Sequence, residues 1–132
     1  MRLILHTLIA LTAAAAPVLA QMSGAEFDAL TKGQTFYYGL NGDAPYGAEQ
    51  YRDNQRVRWS FLDGNCLDGY WYEDAGRICF VYDARPEPQC WRFELRGAGL
   101  VARFDGQTTV SDLYELRRSS EPLWCLGPKI GV

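Results

Sequence analysis

The sequence predicts a mainly β protein: an antiparallel meander forming a small barrel or strongly bent sheet, with one short N-terminal helix. Three observations carry this expectation. About seven short segments alternate apolar and polar residues, and they recur at roughly 10-residue intervals. Gly, Asp and Asn turns join them, too short for the crossovers that parallel strands need. Finally, 132 residues allow one domain, yet carry 4 Trp, 8 Tyr, 6 Phe and 4 Cys, a heavy load for so small a core.

The chain opens on an address. Met1-Arg2 is a short basic start, Leu3 to Ala16 is apolar, Pro17 breaks any helix, and Val18-Leu19-Ala20 supplies a small-x-small cleavage pattern. Residues 1–20 are therefore expected to be a signal peptide and 21–132 a single disulfide-stapled β domain, periplasmic or secreted. The competing reading, an uncleaved anchor, is opposed by Pro17 and the cleavage pattern. No stable membrane span is expected after cleavage.

Past the cut, Ser23-Gly24-Ala25-Glu26 has capping-box spacing, Phe27, Leu30 and Thr31 follow at helical spacing, and Gly33 can stop the helix. The period then changes to two. Thr35 to Leu40 is aromatic and β-prone, Asn41-Gly42-Asp43 is a hairpin signal, and Ala48 to Arg52 returns to a turn at Asp53-Asn54. Arg56 to Leu62 is the clearest strand. Val57, Trp59 and Phe61 face one way and Arg56, Arg58 and Ser60 the other, as in a sheet with one wet side. Asp63-Gly64-Asn65 turns into Gly69 to Glu73, with Tyr70 and Tyr72 opposing Trp71, and Asp74-Ala75-Gly76 turns again. Two strands, around Cys79 and Cys90, are joined by Asp83 to Pro88. Leu100, Ala102 and Phe104 then alternate as far as Asp105-Gly106. Val110, Leu113, Tyr114 and Arg117 fit a short helix within Thr109–Arg118, with a last strand as the alternative. The tail from Pro122 is expected to be irregular and to bury Trp124. Closing the meander removes exposed strand edges, with the N-terminal helix as its plug.

Cys66, Cys79, Cys90 and Cys125 make two disulfides the expectation for an exported chain. Their spacings of 13, 11 and 35 residues lack the close pairs of a thiolate zinc site. Three connectivities are possible. Strand pattern favours Cys79–Cys90, which places Ile78 opposite Trp91 on one face but sets Arg77 opposite Arg92. Cys66–Cys125 is what remains.

Charge and composition close several functions. Cleavage would remove one of the 13 basic residues, Arg2, and none of the 16 acidic ones, moving the net charge from −3 to −4. An acidic chain is a poor match for nucleic acid. The one histidine, His6, leaves with the leader, and with it Ser-His-Asp and Cys-His nucleophiles and histidine-held zinc or haem. No metal, cofactor or catalytic residue is expected, and the chain reads as non-enzymatic. Asp63, Asp68, Glu73 and Asp74 keep a carboxylate hydrolase formally open, though turn chemistry explains Asp63 and Asp74. Asp63 to Asp68 fails as a calcium loop, because Leu67 and Asp68 hold its fifth and sixth positions. What stays open is binding. Tyr38, Tyr51, Arg56, Arg58, Tyr70 and Tyr72 are the candidate ligand-binding residues, since tyrosine with arginine is common binding-surface chemistry. The bland alternative packs the tyrosine rings and leaves their hydroxyls in water. The partner would be a small molecule, a glycan or an envelope protein. An inhibitor of a cell-wall hydrolase or protease, acting through a rigid Asp83–Pro88 loop, is the second reading.

Trp59-Ser60-Phe61, Gly69-Tyr70-Trp71, Cys79-Phe80 and Cys90-Trp91 together resemble a family of small exported bacterial domains of unknown function. The likeness spans about residues 33 to 105. It implies an envelope-exported β domain and assigns no catalytic residue or ligand.

Overall fold

A computed structural model describes residues 21–40, 44–106 and 109–127. The leader 1–20 and the Asn41–Asp43 turn signal lie outside the described residues. One helix, α1 (Gly24–Thr31), precedes eight strands: β1 (Thr35–Gly39), β2 (Gly47–Tyr51), β3 (Arg56–Ser60), β4 (Cys66–Asp74), β5 (Arg77–Tyr82), β6 (Arg85–Arg96), β7 (Gly99–Phe104) and β8 (Leu113–Ser119). Each pairs antiparallel with the next, and β8 returns to β1, so the sheet closes in simple sequence order. The expected small barrel with a short helix is the fold.

Closure explains why the stretch expected to be helical is a strand. The stretch expected to be helical, Thr109–Arg118, is instead mostly strand β8, the eighth of a barrel for which about seven were expected. Without it β1 and β7 would expose rows of unpaired backbone groups. The helix-like spacing has a local cause. The β1–β8 register slips by one residue between Tyr37 and Tyr38, leaving Leu116 without a partner. Such a bulge brings residues three apart, Glu115 and Arg118, onto one side, where they form an ion pair of 2.7 Å. Arg117 stands over the Tyr37 ring and Arg118 over Phe36. The β7–β8 ladder is short, and Glu115 accepts the Leu100 N–H where it parts.

Helix α1 forms as its sequence dictates. Ser23 and Glu26 complete a capping box, Ser23 N–H donating to Glu26 at 2.8 Å and Glu26 N–H to Ser23 Oγ at 3.2 Å. The helix closes one end of the barrel. Met22 N–H donates to Phe93 O, Gly24 N–H to the Glu73 carboxylate, and Gly33 N–H to Tyr51 O. Phe27 is wholly buried, packing edge-on against Tyr51 and Trp71 at 5.3 and 5.1 Å and tilted against Phe93 at 4.6 Å.

Both favoured disulfides are present, Cys79–Cys90 and Cys66–Cys125. Ile78 opposes Trp91 as that pairing requires. The Arg77 and Arg92 charges are reconciled by Asp105, whose carboxylate takes both guanidiniums at 3.5 and 3.3 Å. The C-terminal tail straps the outside of the wall. Thr35 donates to Glu121 O, Leu123 N–H to Gln50, and Leu126 N–H to Gly64 O. This covering buries Thr35, Ala48 and Ser60 on what would otherwise be a wet face. The tail's anchor is Leu123, not Trp124: Trp124 is 73% exposed, because the strap lies flat and turns that ring outward. The Asp83–Pro88 stretch is likewise no free loop. Only Asp83 and Ala84 turn, and Arg85 to Pro88 already belong to β6.

Removing the plug ring should be costly. Phe27→Ala is expected to lower unfolding free energy by about 3–5 kcal/mol, the usual range for a buried phenylalanine, as read by denaturant melts of the oxidised protein.

Candidate functional site

Eight strands give a barrel interior just wide enough to be filled by side chains or to hold one small ligand. Here both occur, at different heights. Phe27 and its neighbours fill the end under the helix. Toward the other end the inward residues leave a cavity of about 410 Å³, lined mainly by aromatic and aliphatic side chains. Its size is typical of small-molecule sites.

The cavity owes its shape to two inward-facing glycines. At Gly47 a β-carbon would collide with the Trp59 ring at 2.3 Å, so glycine lets that indole lie against β2. At Gly69 a β-carbon would meet the Val81 carbonyl and, at 2.9 Å, the Tyr82 ring. Around the mouth, Tyr46, Trp59 and Phe61 form one aromatic cluster, with Phe61 edge-on to the other two at 5.5 and 5.4 Å. Trp91 and Phe104 form another, 5.0 Å apart. Tyr46 and Phe61 are exposed, so the apolar lining continues out onto the lip. Arg85 and Gln89 of β6 stand at the same mouth.

Four polar side chains interrupt this apolar lumen. Tyr38 and Tyr51 join hydroxyls at 2.9 Å. Tyr82 donates to Glu49 Oε2 at 2.9 Å, a bond reaching across the lumen from β5 to β2. Glu49 is 2% exposed, and its second oxygen, Oε1, is buried with no hydrogen-bond partner among the described residues. Burial lifts the Glu49 carboxyl well above the ordinary carboxylate range, and the Tyr82 hydrogen bond offsets only part of that. Burial likewise raises the phenols of Tyr38, Tyr51 and Tyr82. The lumen thus holds a carboxyl with spare hydrogen-bonding capacity, in a medium that favours its neutral form because an unpaired charge is costly there.

Of the six residues singled out from sequence, Tyr38 and Tyr51 line this cavity. The other four stand apart from it. Arg58 makes a bidentate contact with Asp68 at 2.6 and 3.0 Å on the outer wall. Arg56 is exposed beside a second hollow of about 330 Å³, near the plugged end with Arg52 and Asp53. Tyr70 and Tyr72 share the outer face of β4. The four acids considered for hydrolysis also disperse: Asp63 caps Asn65 N–H, Asp68 pairs with Arg58, Glu73 holds the helix terminus and Asp74 pairs with Arg77. Sequence reasoning passed over Glu49. Its signal was the spacing Glu49-Gln50-Tyr51, which sets a carboxylate on the same strand face as a core tyrosine.

No family model matches the chain, and no curated protein or solved structure is similar to it. The likeness of residues 33–105 to exported domains therefore rests on its motif alone.

The buried carboxyl makes stability depend on pH. Unfolded, Glu49 titrates near 4.5; folded, well above it. Over that window the folded state keeps a proton that the unfolded state has lost. The contribution is full below the unfolded value and is lost as pH rises through the folded one. Unfolding free energy of the native chain should therefore fall, relative to Glu49→Gln, as pH rises above the unfolded value of 4.5. Parallel curves for the two proteins would remove this assignment.

Proposed function

We propose that this chain is an exported binding protein of the bacterial envelope that holds one small, mostly apolar guest in its lumen and releases it unchanged. The observation that carries the reading is the 410 Å³ cavity: walled by aromatics, open at an aromatic lip, and marked by one unsatisfied polar atom in its depth. A pocket of this kind suits a small molecule, whereas a protein partner would call for a flat aromatic face. Tyr38 and Tyr51, with Arg85 at the mouth, supply the tyrosine and arginine chemistry expected of such a site. Export is supported by the leader pattern and by the two disulfides, which form and persist in oxidising compartments. The staples and plug hold the wall rigid, so a guest meets a preformed site and little ordering opposes binding.

The test uses material isolated after export, whose mass should correspond to residues 21–132 with both disulfides closed. Titration with the neutral fluorophore N-phenyl-1-naphthylamine should show saturable, one-site enhancement. Ala102→Trp, which drives an indole into the lumen, should weaken binding about tenfold or more, the effect of losing about 1.4 kcal/mol. Tyr70→Ala, on the outer wall, should leave it unchanged. Equal binding by the filled variant would place the fluorophore elsewhere and refute a lumenal site.

A further inference from the structure

The unpartnered oxygen of Glu49 narrows the class of guest, an inference that rests on the lumenal reading above. A carrier for purely apolar molecules gains nothing from a buried carboxyl, which costs free energy wherever it is incompletely bonded. The group is also held, not loose: Tyr82 fixes Oε2 and leaves Oε1 as the oxygen with spare capacity. We propose that the guest is an amphiphilic amine, bound as its cation, with the ammonium group paired to Glu49 Oε1 and the apolar part against the aromatic walls.

The surroundings of Glu49 favour a cation over other guests. Tyr38 on β1, Tyr51 on β2 and Tyr82 on β5 are the titratable groups facing it, and all three are neutral phenols. From β3, β4 and β7 the cavity receives Trp59, Leu67 and Ala102, which carry no charge. Arg85 of β6 is exposed at the mouth, and the Glu115–Arg118 pair of β8 neutralises itself. Nothing described in the depth of the lumen balances an ionised Glu49, so the carboxylate forms there only when the balancing charge arrives with the guest. Aromatic faces attract a cation in a dry site. The net charge of −4 for residues 21–132 draws cations toward the protein as a whole.

The proton balance is definite. Where free Glu49 carries its proton, binding breaks that O–H bond, the proton leaves to solvent, and the carboxylate pairs with the guest's ammonium. Uptake of one amine cation therefore releases up to one proton. The burial that raises the carboxyl supports this coupling but does not define it.

A matched pair of probes, 2-naphthylethylamine and 2-naphthylethanol, tests the inference on the oxidised protein by calorimetry in two buffers of different ionisation enthalpy. The amine should bind about tenfold or more tighter than the alcohol, consistent with a charge-assisted contact. Its heat should differ between buffers by up to one released proton, and the alcohol's should not. Glu49→Gln should erase the amine's advantage and the proton release while still binding the alcohol. If that variant does not fold, proton release by the native chain decides alone. Equal affinities without proton release would overturn the cation inference and leave the lumenal site standing. Failure of both probes and of the neutral fluorophore would overturn both.

Discussion

Phe27 against Tyr51, Trp71, Phe80 and Phe93 is the contact on which the rest of the molecule depends. An eight-stranded tube has two ends, and an interior open at both would be a wet channel through a domain too small to spare the burial. One phenylalanine, carried by an eight-residue helix, turns the tube into a cup. The helix is held at both ends, by Glu73 at its start and by the Gly33–Tyr51 hydrogen bond after its end. Tyr51 serves both halves, its ring meeting Phe27 below and its hydroxyl meeting Tyr38 within the cavity wall.

Above that plug, packing and chemistry separate. The outer wall is an ordinary charged surface, with arginines distributed over Asp68, Asp105 and Glu94, and such exposed pairs contribute little individually. The strap from Glu121 to Leu126 and its disulfide bind the tail across β1, β2 and the start of β4. Rigidity there leaves the lumen as the place where a polar group can be kept short of partners. Glu49 occupies it, with half of its carboxyl satisfied from across the barrel.

Much of the fold was legible because β-alternation is a local signal. Arg56 to Ser60 showed its inward Val57 and Trp59 directly, although the strand ends before Phe61, which is exposed at the lip, and the Ser23–Glu26 capping box formed as spelled. The Cys79–Cys90 pairing followed from register. Strand β8 was not legible, since a bulge at Leu116 disguises a strand's period as a helix's. Trp124 misled for a different reason: hydrophobicity ranks residues by type, while a flat strap chooses by direction, and it chose Leu123. For the site, sequence supplied Tyr38 and Tyr51 but added outer-wall residues, because tyrosines on the two faces of a strand look alike until closure separates them. Glu49 was hidden among ordinary strand charges; only the Tyr82 hydroxyl, 33 residues away, marks it as buried.

A crystal structure of the mature, oxidised protein under xenon pressure tests most directly whether the barrel is a cup with one dry, fillable chamber. Xenon enters apolar cavities and reports empty volume without specific chemistry. It should bind in the upper lumen among Trp59, Phe80 and Trp91, with none between Phe27 and the surrounding rings. A lumen collapsed onto its own side chains with no xenon there, or xenon beneath the helix, would contradict the cup.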